Sequence, residues 1–243
     1  MKSLLTLLLT AILLIPVTEA QEASMTEEEL SKFIGQYLLD NPAVLIDALD
    51  NAQRFSVEER ERKIIETLKR NSAAVFQDKR DFSIGPEDAK INVVEFFDYN
   101  CGYCKRALPD LLKLIENNDD IRVIFKEMPI LGPTSTAAAQ MALTARSNED
   151  YFNIHREILE NRGQLNQLRI DQIAENYGLN APGPRNRRGS SQISKHLDDT
   201  RALAQSLEIS GTPAFIINNK ILPGALPYER LQAEVDDVRK SLN

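Results

Sequence analysis

Two cysteines occur in the chain of 243 residues, and they lie three positions apart in Asn100-Cys101-Gly102-Tyr103-Cys104-Lys105. Thiols at this spacing can close a small disulfide ring and open it again, which is the chemistry of a dithiol/disulfide redox centre. The pair directly follows the apolar run Ile91-Asn92-Val93-Val94-Glu95-Phe96-Phe97, where a buried strand should hand over to a helix. Helix N-termini carry unpaired amide donors and partial positive charge, and both favour a thiolate. Cys101 is therefore expected to be the exposed attacking sulfur. Cys104, one turn further in, is expected to be the shielded sulfur that resolves a mixed disulfide. Gly102 and Tyr103, between the sulfurs, would set the local geometry and electrostatics.

Other residues bear on the same chemistry. Glu95 stands on a strand that otherwise reads as buried, and a buried carboxylate needs a partner or a proton. It could shuttle the proton of Cys104 during exchange, or pair with Lys126 on the next strand, or do both. Gly211-Thr212-Pro213-Ala214-Phe215 places a proline at the start of a strand. A cis Thr212-Pro213 bond there would present a backbone edge to an extended peptide near the sulfurs. A purely structural disulfide is disfavoured, because bridging so short a loop constrains the unfolded chain little. Zinc or copper could use Cys101 and Cys104. The remaining candidate ligands, His155 and His196, are the only histidines and fall on helices of a separate region, so no metal site is expected. His155, close to Phe152 and Ile158, reads as a core or boundary residue. No cofactor is called for.

The elements that must hold these residues can be read from periodicity. Thr26-Glu27-Glu28-Glu29 is a capping box ahead of Leu30, Phe33, Ile34, Tyr37 and Leu38 at helical spacing. Asn41-Pro42 begins a second helix, with Val44, Leu45, Ala48 and Leu49 as its stripe. Ser56-Val57-Glu58-Glu59 is a further capping box that predicts a third, longer and strongly charged helix. Thin stripes on helices without cysteine, histidine or glycine-rich loops suggest packing against the following domain or against further copies of the chain. Phe82 to Ile84 reads as a short strand, Ile91 to Phe97 as a buried one, and Ile121 to Lys126 as the next. The helix carrying Leu108, Leu111, Leu112 and Ile115 lies between the last two. This strand, helix and strand predict parallel pairing, with the cysteines at the carboxyl end of a central strand. Helices fill about 134–206, interrupted by a basic, breaker-rich loop at 181–191. A hairpin around Asn219 and a final helix from Pro227 complete the chain. The predicted fold is α/β.

A net charge of -7 argues against nucleic acid as a partner. Lys2, the apolar run from Leu4 to Val17 and the ending Thr18-Glu19-Ala20 have the form of a secretory signal peptide at 1–20. Removal of that segment would leave a periplasmic or secreted protein in an oxidising compartment, where an isolated cysteine pair can exist as a disulfide.

Glu95-Phe96-Phe97-Asp98-Tyr99-Asn100-Cys101-Gly102-Tyr103-Cys104, the helical insertion and Gly211-Thr212-Pro213-Ala214-Phe215, in that order, resemble the DsbA-type thioredoxin-fold oxidoreductases from about Phe82 onward. The leading helices and Pro223-Gly224-Ala225-Leu226-Pro227-Tyr228 resemble the ScsC branch, whose members include trimeric disulfide isomerases. The resemblance implies a thioredoxin-like domain at 82–243, preceded by a helical oligomerisation segment at 21–81. It implies Cys101 as nucleophile, Cys104 as resolving thiol, Glu95 as buried acid, and Thr212 and Pro213 as a cis-proline loop touching substrate. Threonine before that proline occurs in several isomerases of the superfamily, whereas valine is common in oxidising DsbA enzymes. The expected partners are cysteine-containing client proteins, a redox partner that maintains the thiols, and further copies of the chain, most simply as a trimer. An oxidase, a reductase or a copper-handling role stands beside the isomerase reading.

Overall fold

The computed structural model describes residues 25–163, 165–179 and 187–242. The segment 1–20, expected from sequence to be a signal peptide, lies outside the described residues. The chain divides into two compact units, Met1–Ser56 and Val57–Asn243.

In the first unit, helix α1 spans Glu27–Asp40 and begins with the expected capping box. The Thr26 hydroxyl accepts from the Glu29 amide at 3.3 Å, and the Glu29 carboxylate accepts from the Thr26 amide at 3.0 Å. No residue of α1 is buried, although Leu30, Phe33, Ile34 and Tyr37 share its apolar face. Helix α2 spans Pro42–Arg70, with proline at its first position as expected. The second and third helices expected from sequence are thus one. No glycine or proline separates Asn51 from Ser56, so nothing stops the helix, and the second capping box lies unused inside it. Helix α3, Ser72–Phe76, follows.

The sheet of the second unit has β1 (Ser83–Ile84), β2 (Ile91–Phe97), β3 (Ile121–Glu127), β4 (Ala214–Ile217) and β5 (Lys220–Pro223). Their order is β1-β3-β2-β4-β5. Strands β2 and β3 run parallel, with α4 (Gly102–Glu116) between them in sequence, and β4 lies antiparallel to β2 on its other side. Strand β2 is therefore central. The turn after β1 needs Gly85, because its φ is +99° and a Cβ would collide with the Ile121 carbonyl.

Successive residues of β2 face opposite layers. Ile91, Val93 and Phe97 pack with Leu108, Leu111 and Leu114 of α4 and with the helices inserted between β3 and β4. Val94 and Phe96 pack instead with Leu68 of α2 and Val75 of α3. The insertion comprises α5 (Pro133–Ala142), α6 (Asn148–Glu160), α7 (Gln167–Asn176) and α8 (Arg187–Ser206). Part of the loop expected at 181–191 is helical, since α8 starts at Arg187. The last proline of that segment is Pro184, and one glycine, Gly189, lowers helix propensity without forbidding a helix. Residues 180–186 lie outside the described residues. Helix α9, Tyr228–Ser241, packs against α4 and ends the fold. The arrangement is the α/β thioredoxin-like fold expected from sequence. Among the described residues no helix is long and apolar enough to cross a membrane.

Candidate active site

The sequence at the end of β2 builds a rigid support for the thiols. Asp98 is buried and accepts four hydrogen bonds: from the amides of Asn100 at 2.7 Å, Ile130 at 2.7 Å and Leu131 at 2.9 Å, and from the Ser135 hydroxyl at 2.7 Å. Asn100 adds a second tie. Its side-chain amide donates to Thr134 and Ser135, each at 2.9 Å, and its oxygen accepts from the Leu165 amide at 3.2 Å. The segment before the cysteines is thus held by the β3–α5 connection and by the inserted helices. Lys105 anchors the next turn, donating to the carbonyls of Asn161 at 2.9 Å and Gly163 at 2.7 Å.

Cys101 is the N-cap residue of α4, and Cys104 lies in its first turn. Both thiols are free. Cys101 is 6% exposed and Cys104 fully buried, so the sulfur expected to attack is more recessed than the sequence suggests while the order of accessibility holds. The Cys101 thiol donates to the Thr212 carbonyl across 3.2 Å. Its pKa is lowered to about 5, first through hydrogen bonding with Cys104, opposed by burial, and then through the Thr212 side chain and the amides of Cys104 and Tyr103. Cys104 moves the other way. Burial raises its pKa far above the usual thiol range, and hydrogen bonding with Cys101 and the charge of Glu95 add to the effect.

The Thr212-Pro213 peptide is cis. Tyr103, Thr212 and Pro213 line a groove of about 650 Å³ together with Arg60, Ile209 and Ile221. Tyr103 is exposed, with the Arg106 guanidinium 4.1 Å above its ring. Gly102 opens α4 but does not line that groove.

Glu95 lies buried on the face of β2 that is packed by α4 and α6. The expected pairing with Lys126 does not form. Glu95 is in register with Phe125, while Lys126 is opposite Phe96, so their side chains leave the sheet on different sides. Lys126 instead pairs with buried Asp81 and donates to the Ala74 carbonyl. His196 Nε2 lies 3.1 Å from the other oxygen of Asp81. Burial raises the pKa of Glu95 to about 8, with the charges of Glu127 and Cys101 adding to the shift. Glu127 is also raised to about 8 by burial, although the hydroxyls of Tyr99 and Tyr151 each donate to it at 2.8 Å.

Cys101, Cys104, Glu95, Thr212, Pro213 and Tyr103 are therefore brought to one end of the sheet. Asp98, Asn100, Ser135 and Glu127 were not foreseen from sequence. A signal existed for the first two, since polar residues between a buried strand and Cys101 need buried partners. Ser135 and Glu127 carried none, because their partners are distant in sequence.

A model of the DSBA-like thioredoxin domain matches residues 92–236. The Na(+)/H(+) antiporter NhaA 1 of Salinispora arenicola is 30% identical over 162 residues, covering 64% of this chain and 24% of that protein. The chain thus spans about 24% of the length of the curated relatives it first matches. Among solved structures, a thioredoxin-like oxidoreductase from Silicibacter pomeroyi is 34% identical, with a TM-score of 0.63, covering 69% of this chain and 97% of its own. A linker-deletion mutant of Proteus mirabilis ScsC is 26% identical, with a TM-score of 0.67, covering 89% of this chain and 97% of its own.

Proposed function

This chain belongs to the family of DSBA-like thioredoxin domains, and on that premise we propose that it is an exported thiol-disulfide oxidoreductase acting as an oligomeric disulfide isomerase. The observation that carries the proposal is the opposed environment of the two sulfurs. Cys101, at the helix cap beside Thr212, is held as a thiolate at neutral pH, while Cys104 is buried and stays protonated.

In this reading the Cys101 thiolate attacks a client disulfide. One client sulfur bonds to Cys101 Sγ, and the other leaves as a thiolate. A second client thiolate can then attack the client sulfur of the mixed disulfide, expelling Cys101 and leaving a rearranged bond with no net oxidation. When rearrangement stalls, Cys104 gives its proton to Glu95 in its ionised form, the minor one at neutral pH with a pKa of about 8, and attacks Cys101 Sγ. The client leaves reduced, and the enzyme is left as the Cys101–Cys104 disulfide, which a redox partner must reduce. Tyr103, Thr212 and Pro213 line the groove where an extended client would lie.

Oligomerisation is supported by the first unit. Leu30, Phe33, Ile34 and Tyr37 form an apolar face on α1 that no other described residue buries. Copies of the chain, three being the number implied by the resemblance to ScsC, would cover it and set several sites around one cleft. Removal of the segment at 1–20 would place the assembly in the periplasm or outside the cell.

Reactivation of scrambled ribonuclease tests the enzyme directly. The full chain should restore activity without added oxidant, and Cys101→Ala should abolish this. Retained reactivation in that variant would overturn the reading, and net disulfide introduction into reduced ribonuclease without isomerisation would favour an oxidase.

A further inference from the structure

His155 is fully buried on α6, and its Nε2 lies 3.9 Å from Glu95 Oε2. That gap is about 1 Å longer than an ordinary N–H···O bond. Neither oxygen of Glu95 and neither ring nitrogen of His155 has a hydrogen-bond partner among the described residues. Four polar atoms on two neighbouring side chains are therefore buried without a hydrogen bond among the described residues. An apolar residue at 155 would avoid that cost. The ring is enclosed by aromatic neighbours, with the Phe97 and Phe125 centroids at 4.6 and 4.7 Å. Burial in this surrounding lowers the His155 pKa to about 3, so the imidazole is neutral at physiological pH.

A neutral imidazole has one nitrogen that donates and one that accepts. We propose that His155 is the positioning residue for the proton of Cys104: its Nε2–H donates to ionised Glu95 and, in the same tautomer, to the carbonyl oxygen of protonated Glu95. A small approach of the ring toward the carboxyl makes the bond in either state. The carboxyl can then take up and release a proton in a buried site, with no charge on the histidine and no proton moved on its ring. This inference rests on the disulfide-exchange reading above.

During resolution the Cys104 S–H proton passes to the Glu95 carboxylate, and the Cys104 thiolate attacks Cys101 Sγ. The Cys101–client S–S bond breaks and the client leaves as a thiolate, reduced by the two cysteines, which are oxidised to a disulfide. Donation to a carboxylate is charge-assisted and stronger than donation to the neutral acid, so His155 lowers the proton affinity of Glu95. The other ionisable groups around the pair, among the described residues, are Glu127 from β3, Cys101 and Cys104 at the start of α4, Tyr99 after β2 and Tyr151 from α6. Both tyrosine hydroxyls are committed to Glu127.

The test is a carboxyl titration of the full chain labelled with ¹³C-glutamate, with Glu95 assigned by its loss in Glu95→Gln. His155→Phe should raise the Glu95 midpoint by about one pH unit, and His155→Gln, whose amide can donate or accept, should restore most of it. Release of a peptide from the Cys101 mixed disulfide at pH 7 should slow roughly tenfold in His155→Phe, with the first attack unchanged. That substitution should have no further effect in the Glu95→Gln background. In the unmutated chain, ¹⁵N spectra of His155 should show Nε2 protonated throughout, with a shift that follows the titration of Glu95. An unmoved midpoint, an Nε2 signal indifferent to Glu95, or an equal loss in both backgrounds overturns the inference. Failure of disulfide exchange itself would appear separately, as an unmutated chain that forms no mixed disulfide while its Glu95 titration is still readable.

Discussion

Cys101 Sγ lies 3.2 Å from the carbonyl oxygen of Thr212, a contact spanning 111 residues that joins the cap of α4 to the loop before β4. With the Cys101 pKa lowered to about 5, alkylation should rise through that pH and reach a plateau before neutrality. Cys104 should resist the same reagent until the protein unfolds. Mass spectrometry of the reduced protein after brief exposure to iodoacetamide from pH 4 to 8 checks both. Midpoint reactivity near pH 8.5 would mean that the helix cap does not activate the sulfur.

Glu95 should make stability pH-dependent in a defined window. Its pKa is raised from 4.5 to about 8 by burial, so the folded state keeps a proton that the unfolded state releases. The stability associated with that proton is complete below about pH 4.5 and lost as pH rises through about 8. Glu95→Gln should therefore gain on the unmutated chain with rising pH, by about 3 kcal/mol between pH 4.5 and pH 7. Urea midpoints of the two proteins across this range give the answer, and parallel curves would contradict it.

Lys126 and Asp81 are each 1% exposed at the side chain, on the sheet face opposite the thiols. Replacing Lys126 with Met leaves the aspartate buried without its cation, which should cost about 3–5 kcal/mol. Because the pair lies away from Glu95, Cys101 alkylation in the folded variant should keep its pH profile. A shifted profile would reconnect Lys126 to the site.

Asp98 gathers four donors at the root of the active-site turn. Asp98→Ala leaves three amides and a hydroxyl without their acceptor and should cost about 3 kcal/mol or more. Asp98→Asn retains one accepting oxygen and should lose less. Denaturant midpoints rank the two, and equal stability of all three proteins would make the hydrogen bonds incidental.

The parts legible in the sequence were those fixed by neighbours along the chain. Strand β2, the cap position of Cys101, the Asn219 hairpin and the Thr26 box depend on residues within one turn or one strand, and each formed as read. The unused box at Ser56 shows the limit of local pattern, since the same four residues fit a helix start and a helix interior. Lys126 shows another. Charge suggested Glu95 as its partner, but strand register decides which side of the sheet each residue faces, and register is a nonlocal property. Three of the four donors on Asp98 come from residues 32 to 37 positions later, and His155 meets Glu95 from an inserted helix. Such contacts exist only once the layers have packed.

The exposed face of α1 leads to the remaining expectation. Phe33 is 61% exposed and Tyr37 47%, with their rings stacked at 6.4 Å, and Leu30 and Ile34 continue the same stripe. Apolar side chains in a periodic row on one helix face bury themselves when copies associate, and a charge in that row must be desolvated or exclude the partner. Phe33→Asp in the full chain should therefore shift the species seen by light scattering toward monomer. Cys101 alkylation should be unchanged, because the groups that lower its pKa, on Cys104, Thr212 and Tyr103, are all retained. Reactivation of scrambled ribonuclease per chain should fall if neighbouring sites share a client. A monomeric unmutated protein, or an assembly indifferent to the charge at 33, would remove α1 from the interface.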